Sequence, residues 1–236
     1  MTHDFNIGNS IFPGFNDNDG ILLCGYEWGS SKADQEEYKA GLAVESNCDA
    51  ICTFSNKSPR HGEKAFKWRY DNQIIKWFGL WGHPLNRCGE GDDFDKTILQ
   101  TNWCDTEGNK ITGDCYSKLM QPDQIDNFIK HVQRFRPKVI FFFGSVLIKA
   151  LQDNRVKNKF SDIMGKTTHE LRCLQNVNFQ GRRFVISFQS FENCEVICLP
   201  HPSSSRALRD AYIELFSDEI SKILSSYKYQ KSVAND

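Results

Sequence analysis

The chain predicts an α/β fold built on a mainly parallel sheet, and three observations carry that expectation. Lys138-Val139-Ile140-Phe141-Phe142-Phe143 is an apolar run that stops at Gly144, as a strand buried on both faces does. An amphipathic helix precedes it, with Ile125, Phe128, Ile129, Val132 and Phe135 on one face between Pro122 and Pro137. Three further runs share the strand's character: Ile21-Leu22-Leu23-Cys24 before Gly25, Thr97-Ile98-Leu99-Gln100-Thr101 before Asn102, and Val196-Ile197-Cys198-Leu199 before Pro200.

Each of these strands ends on small or polar residues. An open α/β sheet places its ligands outside the carboxyl ends of its strands, so the four ends define one expected crevice. Residues 46–95 form an irregular, aromatic-rich insertion whose Phe54, Phe66, Trp68, Tyr70, Trp77, Phe78 and Trp81 argue against disorder. Arg183 to Phe188 reads as an added strand. A long amphipathic helix after His201 carries Leu208, Tyr212, Leu215, Phe216, Ile220, Ile223 and Leu224, and residues 226–236 read as a flexible tail.

The 236 residues suit one domain spanning 1–236, and 39% hydrophobic residues with 18 Phe can fill its core. No apolar run approaches the roughly 20 residues that cross a bilayer, so no membrane partner is expected. Met1-Thr2-His3-Asp4-Phe5 lacks the start of a signal peptide, which assigns the nine cysteines to a reducing, cytoplasmic setting as free thiols. The net charge of -1 does not advertise nucleic-acid binding. Basic residues nevertheless cluster at Lys64, Lys67 and Arg69, at Arg182 and Arg183, and at Arg206 and Arg209; each cluster alone reads as a solvated face. A monomer is expected.

Two short loops carry the candidate chemistry. Glu27 follows the first strand within Gly25-Tyr26-Glu27-Trp28-Gly29, and His201 follows the last within His201-Pro202-Ser203. A carboxylate and an imidazole facing each other across a crevice suit cleavage of an N-glycosidic bond. The sugar gains oxocarbenium character that a carboxylate stabilises, and the departing base gains negative charge on an oxygen that a His N–H stabilises. Without further context the same pair reads as a capping carboxylate and a structural histidine, and Asn102 as a cap or turn asparagine.

The order of these features resembles the uracil-DNA glycosylase superfamily. His201-Pro202-Ser203 matches that family's second motif in full; Gly25, Glu27 and Gly29 match its first, of the form Gly-x-Asp-Pro-Tyr or Gly-x-x-Pro-Gly, with Trp28 in place of proline. The resemblance runs through residues 20–225 in order of elements but rests on fewer than twenty motif positions. It implies a three-layer α/β/α domain with a central four-stranded, mainly parallel sheet. It further implies a base-flipping DNA glycosylase of the base-excision repair kind, acting on uracil or a C5-modified pyrimidine in DNA. The alternatives are an antiviral defence enzyme excising hypermodified cytosine and a non-catalytic nucleic-acid-binding member of the fold.

Carried over residue by residue, Glu27 orients water and stabilises charge, His201 is the electrophile, and Asn102 bonds the edge of the flipped base. Gly25, Tyr26, Trp28 and Gly29 line the base site, with Gly29 leaving room beside C5 of a pyrimidine. One aromatic among Phe54, Phe66, Trp68 and Tyr70 stacks on the base. Ser203, Ser204 and Ser205 donate to phosphates or cap the last helix, and Arg206 fills the space the base vacates. No lysine follows either motif in a way that demands a Schiff-base mechanism, so the enzyme is expected to be monofunctional. One branch of the family holds an iron–sulfur cluster on cysteines that begin ahead of the first motif. Cys48, Cys52, Cys88 and Cys104 all follow it here, so no metal and no cofactor are expected.

Overall fold

The computed structural model describes residues 5–29, 47, 49–108, 114–174 and 184–234. The strands are β1 (Ile21–Gly25), β2 (Trp28–Gly29), β3 (Ile98–Asn102), β4 (Glu107–Gly108), β5 (Val139–Phe143), β6 (Thr167–Leu174), β7 (Ile186–Phe191) and β8 (Cys194–Leu199). The helices are α1 (Ser58–His61), α2 (Arg69–Leu80), α3 (Asp93–Lys96), α4 (Cys115–Leu119), α5 (Pro122–Phe135), α6 (Ser145–Leu151), α7 (Asn154–Met164), α8 (Asp210–Glu214) and α9 (Ser217–Ala234), with a 3-10 turn at Glu63–Lys67.

The four expected strands all form and are parallel, in the spatial order β3-β1-β5-β8. The sheet is larger than expected: β7 and β6 extend it antiparallel beyond β8, making six strands among the described residues. The added strand begins later than Arg183, at Ile186, and returns through a tight turn before Cys194.

Alternation along the strands explains why helices cover both faces. Leu22, Cys24, Leu99, Ile140, Phe142, Val196 and Cys198 point to one face, where Phe128 and Val132 of α5, Leu147 of α6 and Phe160 of α7 bury them. Ile21, Leu23, Ile98, Val139, Phe141, Phe143, Ile197 and Leu199 point to the other, against Ile74, Trp77 and Phe78 of α2 and Tyr212, Ile220 and Leu224 of α8 and α9. The result is three layers, helices over sheet over helices.

Two sequence expectations need correction. Residues 46–95 are not irregular throughout: α2 lies within them and drives Trp77 and Phe78 into the core, with Trp81 beside them and stacked on Phe141 at 5.5 Å. The helix after His201 is broken at Leu215, which is 52% exposed, and its second part runs to Ala234 through the segment expected as a tail, with Tyr227 buried. That long apolar stripe therefore belongs to two helices meeting at a corner.

Candidate active site

The sheet reverses direction of growth between β1 and β5, because the chain places β3 on one side of β1 and β5 and β8 on the other. A crevice opens at such a switch point, beyond the carboxyl ends of the strands. Gly25 ends β1, Asn102 ends β3, Phe143 ends β5 and Leu199 ends β8, so Glu27 and His201 leave the sheet from strands that flank β5. At a strand spacing of about 4.8 Å their carrier strands lie roughly 10 Å apart.

On the β8 side, the loop turns back immediately, and the amides of Ser203 and Ser204 both donate to Nδ1 of His201, at 3.2 and 3.1 Å. A nitrogen that accepts two amide protons carries none of its own, so the ring proton sits on Nε2. Burial reinforces this by pushing the imidazole pKa down to about 4, which keeps the ring neutral at ordinary pH. His201 thus presents a neutral N–H donor. The serine amides are occupied by the imidazole, and the serines do not cap the last helices, because α8 starts only at Asp210. Ser204 and Arg206 are exposed, and Arg206 has no ion pair among the described residues.

Tyr70, at the start of α2, packs its ring 5.3 Å from that of His201 and 5.7 Å from Phe143. It is the aromatic of the four candidates that reaches the histidine. Phe54 is core, Trp68 packs on His61 at 4.9 Å, and Phe66 is exposed beneath Arg87. The Tyr70 hydroxyl is buried without a partner among the described residues, and it lies 3.1 Å from where a Cβ on Gly25 would stand. The same Cβ would collide with Oδ1 of Asn102, so glycine at 25 is what lets the Asn102 amide lie across the end of β1. Gly25, Asn102, Tyr70 and His201 therefore meet in one wall.

On the β1 side, β2 and β4 pair as a small second parallel sheet that carries the chain past the end of the main one. Glu27 enters it, and Oε2 receives Thr106 Oγ1 at 2.9 Å and the Lys118 ammonium. Oε1 lies over Gly108 with no hydrogen-bond partner among the described residues, and a side chain at 108 would strike it. Tyr26 turns away into the core, its hydroxyl on the Cys115 carbonyl at 3.3 Å. Trp28 bonds Asn6 and closes over Gly8. Neither Tyr26 nor Trp28 joins the Asn102–His201 wall, and Gly29 is exposed, with nothing among the described residues where its Cβ would be.

Three features escaped the sequence reading. A buried cluster joins Lys57 to Asp71 at 2.7 Å and to Gln100, under the rings of Phe54 and Trp68. It ties the strand that ends in Asn102 to the helix whose first turn holds Tyr70. Its one sequence signal was Gln100, a polar residue inside an otherwise apolar buried strand. The second is the Lys118–Glu27 pair, for which α4 offered no signal. The third is charge placement: Tyr70 against His201 and Gln73 against Asp210 at 2.5 Å bring Lys64, Lys67 and Arg69 to the same side as Arg206 and Arg209. All five of these cations are exposed, whereas Arg182 and Arg183 lie outside the described residues.

No protein-family model and no curated protein matches the chain. Of the cysteines considered for a cluster, Cys52 and Cys104 are buried and Cys88 is exposed, while Cys48 lies outside the described residues. Burial pushes the Cys104 thiol up to about 12. No helix among the described residues is long and apolar enough to cross a membrane.

Proposed function

We propose that the protein is a DNA glycosylase of the uracil-DNA glycosylase type, which flips a base out of DNA and hydrolyses its N-glycosidic bond. The observation that carries this reading is the tautomer of His201. Two backbone amides on Nδ1 leave the ring proton on Nε2 at the carboxyl end of β8, two strands from the end of β1 that Glu27 follows. A neutral donor suits a departing base, since it stabilises the oxygen that gains charge without having to be recharged between turnovers. Asn102 offers an amide donor and acceptor to the base edge, and Tyr70 offers the ring on which the base stacks. Oε1 of Glu27, which has no hydrogen-bond partner among the described residues, is the site for the attacking water, and the ammonium on Oε2 holds the carboxylate in place. The exposed cations of the α2 start and the His201 loop follow the phosphates. The three-layer architecture with its parallel strands in the order β3-β1-β5-β8 is read as the uracil-DNA glycosylase fold.

The test uses oligonucleotides, single- and double-stranded, each with one candidate base: uracil, thymine, 5-hydroxymethyluracil or glucosylated 5-hydroxymethylcytosine. Alkali-labile cleavage at one of these positions is expected, reduced at least about 100-fold in Glu27→Gln and in His201→Ala. No cleavage at any base in either strand form overturns the reading and leaves a nucleic-acid-binding module.

A further inference from the structure

Lys118 lies outside both motifs, yet among the described residues its amine is the cation that pairs with the candidate catalytic carboxylate. Nζ meets Oε2 of Glu27, and the lysine side chain is 33% exposed whereas the carboxylate is 8% exposed, so the pair opens to solvent on the amine's side. The Tyr26 ring lies 5.7 Å from Nζ and Thr106 fixes the carboxylate oxygen from another direction, so the amine is aimed rather than swinging freely. A lysine one hydrogen bond from a carboxylate that serves the sugar carbon stands beside that carbon as well. Amine and carboxylate together are what imine chemistry on an aldehyde needs: a nucleophile and a group to carry its proton.

We propose that the protein has a second activity, cleavage of the strand at an abasic site through a Schiff base on Lys118. The proposal rests on the reading of Glu27 as the group that faces the sugar. The ring-opened abasic sugar presents an aldehyde at C1′. The ammonium passes a proton to Glu27, the freed Nζ lone pair attacks C1′, and the carbonyl π pair moves to oxygen, which takes the second amine proton. Glu27 returns its proton to that hydroxyl, water leaves, and a C1′ iminium remains. The carboxylate then removes the proton from C2′; the released pair forms the C2′–C3′ double bond as the C3′–O bond breaks, and the downstream strand departs as a 5′-phosphate. Water hydrolyses the iminium, restoring Lys118 and leaving an unsaturated aldehyde on the upstream strand. No oxidant or reductant enters, and the proton taken from C2′ passes to solvent.

The experiment supplies a duplex with a preformed abasic site, so that base excision is not required, with and without borohydride to reduce any iminium to a stable amine. The wild type is expected to form a covalent protein–DNA species mapping to Lys118 by peptide mass, and to nick the duplex when borohydride is left out. Lys118→Arg keeps a cation against Glu27 but cannot form the imine, and its trapped product is expected to fall at least about tenfold. No trapped species from the wild type, trapping undiminished in Lys118→Arg, or an adduct on another amine overturns the proposal. Base excision measured on the same preparations reads the first activity separately: excision without trapping removes only the lyase, and trapping at Lys118 without excision retains the lyase and removes the glycosylase.

Discussion

The ring of Tyr70 lies 5.3 Å from the imidazole of His201, tilted by 59°, while its hydroxyl points back to the wall of Gly25 and Asn102. One side chain from the aromatic-rich segment thereby joins the ends of three strands. Base–aromatic stacking contributes about 1–3 kcal/mol, so Tyr70→Ala is expected to lower single-turnover excision by roughly 5- to 150-fold. Tyr70→Phe keeps the ring and removes a buried hydroxyl without a partner, so it is expected to retain excision within about threefold and to melt no lower than the wild type. A large loss of excision in Tyr70→Phe would assign the work to the hydroxyl.

The imidazole of His201 supplies a prediction in pH. Its neutral form is the active one and its pKa is lowered from 6.5 to about 4, so excision is expected to hold level through pH 6.5 and to fall only toward pH 4. A midpoint near 6.5 in the excision profile would show that the ring is not held neutral. Stability follows the same group. Between pH 4 and 6.5 the unfolded chain binds a proton at this position that the folded chain refuses, so its contribution to stability rises with pH across that window. Asp95, raised to about 6 by burial, acts in the opposite direction, so the group's share is read as the difference between wild type and His201→Asn in urea unfolding from pH 4 to 7.

Lys57 and Asp71 are 3% and 8% exposed and 2.7 Å apart, inside the wall that holds Asn102 and Tyr70. Removing one partner strands a buried charge, so Lys57→Met and Asp71→Leu are each expected to destabilise the fold by about 3–5 kcal/mol in chemical denaturation. The double variant Lys57→Met/Asp71→Leu is expected to recover most of that loss. Additive losses in the double variant would mean that the two residues act independently.

That pair also explains where the sequence was opaque. The parallel strands were legible because burial on both faces writes an unbroken apolar run, as in Val139–Phe143. Helix α2 was not, because one of its inward positions is Asp71, which reads as a surface residue until its partner, fourteen positions earlier in the chain, is placed beside it. Strand β6 was missed because its residues are exposed or half-exposed throughout, leaving no apolar alternation to detect. At the candidate site, Gly25, Glu27, Asn102 and His201 were readable from their positions at strand ends. Lys118 was not, since nothing local marks a lysine whose partner lies 91 residues away.

Gly29 and Gly25 separate two ways in which a glycine shapes a site. A Cβ at 29 meets nothing within 4 Å among the described residues, so Gly29→Tyr is expected to fold normally. If position 29 borders the base, its ring will reduce excision of C5-enlarged pyrimidines relative to uracil by about 10-fold or more, the range that shape exclusion of a small group supplies. An unchanged ratio would remove Gly29 from the base site. Gly25→Ala, by contrast, displaces the Asn102 amide and is expected to lower excision of every base tested.

Residues Phe5 to Ser10 run alongside β3, an edge strand of the sheet. Gly8 donates to the Gln100 carbonyl at 2.8 Å, Asn9 accepts the Gln100 amide at 2.8 Å, and Ile7 bridges to Thr101. A sheet edge left bare is a template for pairing with another chain. The segment from Phe5 to Ser10 thus acts as a selvedge on the fabric of the sheet: trimming it to shorten the protein or to attach a tag close to Ile11 would unravel solubility before it touched the crevice.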